Sequence, residues 1–378
     1  MDVALKNKAE TKIWLSPPHM SGNEQRFVQE AFESNWIAPS GPHIAQFEKA
    51  LTNYTQSKYA VALYSGTSAI HLALKCLNIE NGDVVFCSTF TFIATANPIH
   101  YENAIPYFIE SEKETWNMCP IALESAILKT KANHQKSVAI ILVHLYGNPA
   151  KMDALKAVAN KYNIPIIEDA AEALGSTYHG FPCGSLTEIG ILSFNGNKII
   201  TTSGGGALLT DNKAFAIKSI YLSTQAKEAT LHYEHKNIGY NYRMSNVAAA
   251  IGCGQMMVVD ERVSQRRNNF EYYKKQFANT SIQFQPEAEN TTSNRWLTAV
   301  VFENKTKKEN VQEALLRQNI ECRPLWKPLH SQPIFNNCLY EGNHFSDVLF
   351  EKGLCLPSGS NLSEVELNYI SKTVIKSL

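Results

Sequence analysis

The sequence predicts an α/β protein built around a largely parallel sheet, and three observations carry that expectation. From Ile44 to Thr210, short apolar runs alternate with helical stretches, the pattern of strand–helix–strand units. Two of the runs lead into residues suited to holding a ligand. Tyr59–Leu63 is followed by Gly66–Thr67–Ser68, and Ile164–Ile167 ends at Asp169. Third, the stretch Ile189–Thr210 is apolar and glycine-rich and carries a single charge, Lys198. It reads as strand, turn, strand, glycine bend and strand.

In chain order, residues 1–12 are polar and lysine-containing without an apolar core. They are expected to be a disordered extension and not a secretory signal. Gly22–Ser34 has a helical pattern at Phe27, Val28, Ala31 and Phe32, capped by Ser21 or Asn23. Asn35–Trp36–Ile37–Ala38–Pro39 is a loop by its proline and the Gly41–Pro42 beyond it, with Trp36 able to serve simply as its core anchor. After the helix Ile44–Tyr54 and the strand Tyr59–Leu63, Gly66–Thr67–Ser68 opens a helix to Leu77. Free N–H groups and the helix dipole there suit a phosphate, although ordinary N-capping would use the same residues.

Val84–Cys87, Ile105–Ile109 and Ser137–His144 are further strands, with helices at Pro120–Thr130 and Met152–Tyr162. His144 reads as a satisfied core histidine. Ser245–Phe277 reads as one long helix, Trp296–Phe302 as a strand and Lys308–Gln318 as a helix. The loop Glu321–His330 offers Arg323, Trp326, Lys327 and His330, cations and an aromatic face for a diphosphate and its base or sugar. His232 and His235, three apart, lack a third ligand of fixed spacing, and no metal site is expected.

Lysine is rare in apolar surroundings unless it is paired or used. Partial burial of Lys198 would disfavour its charged form and prepare an amine nucleophile, whereas an exposed turn tip would make it a solubilising charge. Asp169, at a strand end before small residues, could cap a following helix. It could equally pair with the ring nitrogen of pyridoxal 5'-phosphate while a lysine binds the aldehyde.

Composition bounds the alternatives. The 378 residues contain 35 Lys plus Arg and 35 Asp plus Glu, so the net charge is zero and no basic run suggests nucleic acid. The length suits one large domain with a smaller partner. Eight scattered cysteines, none in a C-x-x-C pair, suggest a reducing compartment. With no apolar run near the roughly 18 residues of a membrane span, a cytoplasmic protein is expected.

Five segments, in order, resemble the DegT/DnrJ/EryC1/StrS sugar aminotransferases. They are Ser65–Ala69, Thr91–Thr95, Glu168–Gly175, Ser193–Lys198 and Gly239–Ser245, within a resemblance running from about Ile13 onward. It implies a fold type I pyridoxal-phosphate transferase. Its large domain, residues 13–255, would hold a mostly parallel seven-stranded sheet flanked by helices, and a smaller C-terminal α/β domain would span residues 256–378. It implies that Lys198 bonds the cofactor, that Gly66, Thr67 and Ser193 hold its phosphate, and that Phe92 stacks on its ring, with Phe90 the local competitor. Asp169 would face the ring nitrogen and Glu172 the phenolic oxygen. Asn241 would reach the phosphate of the other subunit of a homodimer. Asn35, Trp36, Ile37, Ala38 and Arg243 would join the Arg323–His330 loop around the sugar, although Arg243 suits a structural ion pair as well.

Within the family, Leu15–Met20, Ser34–Pro39, His144–Asn148, Leu231–His235 and Arg323–His330 look closest to the C4 aminotransferases of bacillosamine synthesis. Those enzymes move an amino group, from L-glutamate, to a UDP-linked 4-keto-6-deoxy-N-acetylglucosamine. Other keto sugars on dTDP or GDP are the alternative, and a non-catalytic cofactor-binding protein a further one. Relatives that act as dehydratases replace the lysine with histidine, and Lys198 argues against that reading.

Overall fold

In the computed structural model, residues 12–378 are described, so the expectation for the N-terminal extension falls outside the described residues except at exposed Lys12. An eight-stranded sheet organises the chain. Its order is Tyr59–Leu63, Gly206–Thr210, Ile189–Ser193, Ile166–Asp169, Ser137–Val143, Val84–Ser88, Ile105–Ile109, Leu339–Glu341. Gly206–Thr210 runs antiparallel to both its neighbours, and every other pairing in the sheet is parallel. Seven of the eight strands fall at apolar runs where the sequence predicts strands, so the sheet holds one more strand than the seven expected. The eighth, Leu339–Glu341, comes from the C-terminal part of the chain and pairs with Ile105–Ile109.

The apolar runs are explained by helices on both faces. Val84–Ser88 is buried at all five positions, as a strand covered on both sides requires. Alternate residues serve opposite layers. Val85, Cys87, Ile141, Ile167 and Ile191 pack with the helix Gly66–Cys76. Val84, Phe86, Ile140 and Leu142 pack with Leu123, Ile127 and Leu155 of the helices Pro120–Ala132 and Met152–Tyr162.

A second layer pairs four short antiparallel strands in the order Gln283–Phe284, Thr298–Val301, Gly353–Leu356, Arg323–Pro324. The helices Val259–Gln276, Lys305–Arg317 and Glu364–Lys376 close its core around Tyr273, Val300, Val311, Leu315 and Ile370. The two layers exchange segments across the expected boundary at residue 255. Ile13 bridges to Ile320 in the smaller layer, and Leu339–Glu341 crosses into the large sheet.

Three local expectations differ from the structure. The β-branched run Ile199–Thr202 is not a strand. Thr202 N–H and Thr201 Oγ1 both return to the Phe194 carbonyl, and Thr201 N–H donates to Gln255 Oε1, so the run closes a loop. Ser245–Phe277 is two helices, Asn246–Met256 and Val259–Gln276, broken where Val258 leaves helical geometry at φ −124°. At the start of Glu24–Glu33, the N-cap residue Asn23 makes no side-chain cap hydrogen bond, and Ser21 Oγ accepts from Asn23 and not from the helix. The Glu24 carboxylate reaches back to the N–H groups of Ser21 and Gly22 instead.

Candidate active site

The parallel strands deliver their C-terminal ends to one edge of the sheet, and there a cavity of about 340 Å³ opens between the two layers. Thr67, Phe92, Asp169, Glu172, Ser193 and Lys198 all line it. Its phosphate-like end is the start of the helix Gly66–Cys76. Ser65 caps that helix by accepting the Ser68 N–H, and Gly66, Thr67 and Ser193 line the cavity there. The adjoining strand can come this close only because Gly206 has no side chain. A Cβ there would lie 2.4 Å from the Gly66 nitrogen.

Asp169 ends its strand nearly fully buried. Its Oδ2 accepts from Thr95 Oγ1 at 2.8 Å and its Oδ1 from the Ala171 N–H at 3.2 Å. Burial pushes the carboxyl pKa up, and the Thr95 and Ala171 hydrogen bonds and the charge of Lys198 oppose that rise. Ala170–Leu174 forms turns and no helix, which removes the helix-capping reading.

Lys198 closes the turn Asn195–Lys198, its N–H donating to the Asn195 carbonyl at 3.0 Å. The side chain is turned inward, 14% exposed, and is not a solubilising tip. Burial lowers its pKa, against the pull of Glu172 and then Asp169. Nζ lies 3.7 Å from Glu172 Oε1 and 4.0 Å from the centroid of the Trp296 ring. Burial pushes Glu172 up to about 7, with Lys198 and the Tyr146 N–H opposing. That N–H donates to Glu172 Oε2 at 2.7 Å.

Phe92 is half exposed on the cavity wall, with its ring centroid 5.2 Å from Trp326, while Phe90 is buried in the core. Of the two, Phe92 lines the cavity. His144 is fully buried: Nδ1 accepts the Ala150 N–H, and Nε2 donates to Glu168 at 2.8 Å. It is a satisfied core histidine, as expected.

Of the other expected residues, Trp326 and Gly66 border this cavity and the rest lie apart from it. Asn35, Trp36, Ile37 and Ala38 are exposed on their loop and line no part of it. Arg243 donates to Glu48 at 2.6 Å and to the Ala62 carbonyl at 3.1 Å, so within the chain it is a structural ion pair and not a cavity cation. His330 is turned away. Its ring lies between Thr89 Oγ1 at 2.6 Å and Asp347 at 2.9 Å and stacks on Tyr340. Trp326 borders both the cavity and a neighbouring one of about 490 Å³, which Arg323 also lines. Arg323 is exposed and paired with Glu321 at 2.9 Å, and Lys327 is half-buried. Asn241 is exposed, accepting from Gln225 Nε2 at 3.0 Å. His232 and His235 lie in an irregular segment and not on a helix.

Sequence reasoning missed Thr95, Tyr146 and Trp296. Thr95 follows Thr91 by four residues, and the two hydroxyls are 3.0 Å apart, but nothing in that spacing marks a carboxylate partner. Tyr146 takes a left-handed backbone at φ 54°, and Trp296 lies about a hundred residues from the lysine it touches.

The profile of the DegT/DnrJ/EryC1/StrS aminotransferase family matches residues 18–375. The chain belongs to that family. It is a pyridoxal-phosphate-dependent nucleotide-sugar aminotransferase. EpsN of Bacillus subtilis (strain 168), named for a pyridoxal phosphate-dependent aminotransferase, is 48% identical, over 96% of this chain and 95% of its own. The GDP-perosamine synthase of Escherichia coli O157:H7 is 35% identical, over 94% and 96%. Among solved structures, the PLP form of Spr1654 from Streptococcus pneumoniae, named for a sugar aminotransferase, superposes with a TM-score of 0.89. It is 26% identical and covers 97% of this chain and all of its own, 100%.

The residues of this aminotransferase fit the cofactor. The helix start at Gly66 and Thr67 matches a phosphate, buried Asp169 matches a protonated ring nitrogen, Phe92 offers a ring face and Lys198 offers an amine.

Proposed function

We propose that this aminotransferase moves an amino group from L-glutamate to C4 of a UDP-linked 4-keto-6-deoxy-N-acetylglucosamine. The observation that carries amine transfer is the convergence of Lys198, Glu172 and Asp169 on one cavity with a phosphate-suited helix start at its far end. When bound, pyridoxal phosphate supplies an electrophilic aldehyde and an electron-accepting ring. Asp169 holds negative charge where the ring nitrogen carries its proton. Gly66, Thr67 and Ser193, which line one part of the cavity, would hold the phosphate, and Phe92 would offer its face to the ring. Lys198 Nζ, largely removed from water, would accept the proton that leaves the donor's α-carbon and, in the sugar half-reaction, would donate a proton to C4, the amino group being held by the cofactor between the two.

Support for the UDP sugar is the resemblance of Leu15–Met20, Leu231–His235 and Arg323–His330 to the bacillosamine-pathway enzymes. A GDP-linked keto sugar is the second reading, favoured by the 35% identical GDP-perosamine synthase. We also place the working form as a homodimer in the cytoplasm, with residues 13–255 and 256–378 as its two domains. Support for the dimer is the exposure of Asn241 beside Leu231, Tyr233 and Ile238, apolar side chains that are each more than four-fifths exposed. No described helix is long and apolar enough to cross a membrane.

The test incubates the protein with L-glutamate and, separately, UDP-, dTDP- and GDP-linked 4-keto-6-deoxy sugars, identifying products by mass and NMR. Amination of the UDP-linked N-acetyl sugar alone is expected. Amination of only the GDP sugar replaces the substrate and leaves the chemistry standing.

A further inference from the structure

We propose that Trp296 is a positioning residue for Lys198, its indole face seating the charged amine while its indole N–H anchors the peptide from which that side chain springs. Nζ lies 4.0 Å from the ring centroid, well inside the distance at which an ammonium is drawn to an indole face. The same indole donates from Nε1 to the Asn197 carbonyl at 2.6 Å, the carbonyl immediately before Lys198. Ser16 Oγ donates to that carbonyl as well, at 2.7 Å.

The indole is itself held. Trp296 is 1% exposed, and its carbonyl accepts from Arg266 Nη1 at 2.6 Å. Arg266 Nη2 donates to Ser16 Oγ at 2.9 Å and reaches the Lys198 carbonyl at 3.4 Å. Arg266 is buried and bonds to no carboxylate among the described residues. Its donors go to Ser16 and to the carbonyls of Trp296, Lys198 and Ser358. One guanidinium thus links the peptide of the reactive lysine to the residue under its amine.

The charged groups that act on the amine are Glu172, at 3.7 Å, and Asp169. Trp296 adds an uncharged aromatic face at 4.0 Å. An amine released into a buried cavity would otherwise be pulled only toward Glu172. Between a carboxylate and an aromatic face it returns to the same place after each proton transfer. This assignment rests on the reading of Lys198 as the reactive amine and is independent of which sugar is used.

The test uses the full chain stripped of cofactor. Lys198 is acetylated with acetic anhydride across a pH series and its peptide quantified by mass spectrometry in wild type, Trp296→Phe and Trp296→Leu. Phe keeps a ring face and Leu only bulk, so the pair isolates the face from loss of the N–H and from entry of water. Lys198 is expected to titrate lower in Trp296→Leu than in Trp296→Phe by roughly half a unit to one unit. Equal titration in the two overturns the seat. If Trp296→Leu does not fold, Trp296→Met provides the same comparison. Failure of the aminotransferase reading would show separately, as wild-type Lys198 that is never joined to added pyridoxal phosphate after borohydride reduction.

Discussion

Glu172 Oε1 and Lys198 Nζ face each other at 3.7 Å, longer than a hydrogen-bonded ion pair, with both side chains largely removed from water. Burial raises the acid and lowers the base, so each approaches its neutral form. That is a useful state for a site that must pass protons at near-neutral pH.

The consequence for stability has a definite sign. Glu172 is pushed up from 4.5 to about 7, so the folded chain binds this proton more tightly than the unfolded chain. Its contribution is complete below about pH 4.5 and is lost as pH rises to about 7, about 3 kcal/mol in all. In the cofactor-free protein, Glu172→Gln should therefore flatten the fall in stability across that window. The Gln oxygen can still accept the Tyr146 N–H. Urea unfolding at a series of pH values reads the slope, and parallel curves for the two proteins would reject the assignment.

Lys198→Ala removes the only amine lining the cavity among the described residues. Turnover should fall by roughly a hundred- to ten-thousand-fold or more, the contribution of a positioned proton carrier. Borohydride should no longer fix pyridoxal phosphate to the peptide containing residue 198. Retention of either property points to another lysine.

Thr95→Val tests a contact between the loop after Val84–Ser88 and the end of Ile166–Asp169. Thr95 Oγ1 is the one side-chain donor to Asp169 Oδ2 among the described residues, and without it burial raises the Asp169 pKa further. A hydrogen bond to a charged group contributes about 1.5–3 kcal/mol, so kcat should drop roughly ten- to a hundredfold. KM for the nucleotide sugar should be little changed, because Thr95 acts through Asp169. A change in KM alone would show that Thr95 serves the sugar instead.

How far the sequence revealed this site follows from the range of each interaction. The strand ending at Asp169 and the helix opening at Gly66 were legible, because burial and glycine placement are local. Lys198 stood out because it is the lone charge in an apolar stretch. Ile199–Thr202 misled because β-branched residues resemble a strand, whereas the fold of the loop is decided by Gln255 and the Phe194 carbonyl, far away or behind. Arg243 and His330 were drawn toward the substrate by residue type. Glu48, Thr89 and Asp347, which hold them elsewhere, lie between 17 and 241 positions away. Trp296 was invisible for the same reason, since a tryptophan opening a strand is ordinary until Lys198 is found above it.

The last prediction concerns the proposed homodimer. Asn241 is exposed and absent from the lining of its own chain's cavity, so a role at a phosphate has to be played in another copy. Asn241→Asp would set a carboxylate against that phosphate and should weaken cofactor binding roughly tenfold or more, a penalty of about 1.4 kcal/mol or above. Lys198→Ala fails for a different reason, and the two lesions fall in different sites of a mixed dimer. One site would combine the intact Lys198 of one subunit with the intact Asn241 of the other, and its companion would carry both lesions. Co-expressing the two variants with different affinity tags, isolating the mixed species and assaying at a cofactor concentration that leaves the Asn241→Asp homodimer largely unfilled should therefore give more activity than either homodimer, up to about half that of wild type. A mixed species no more active than the average of its parents would place Asn241 outside the partner's site.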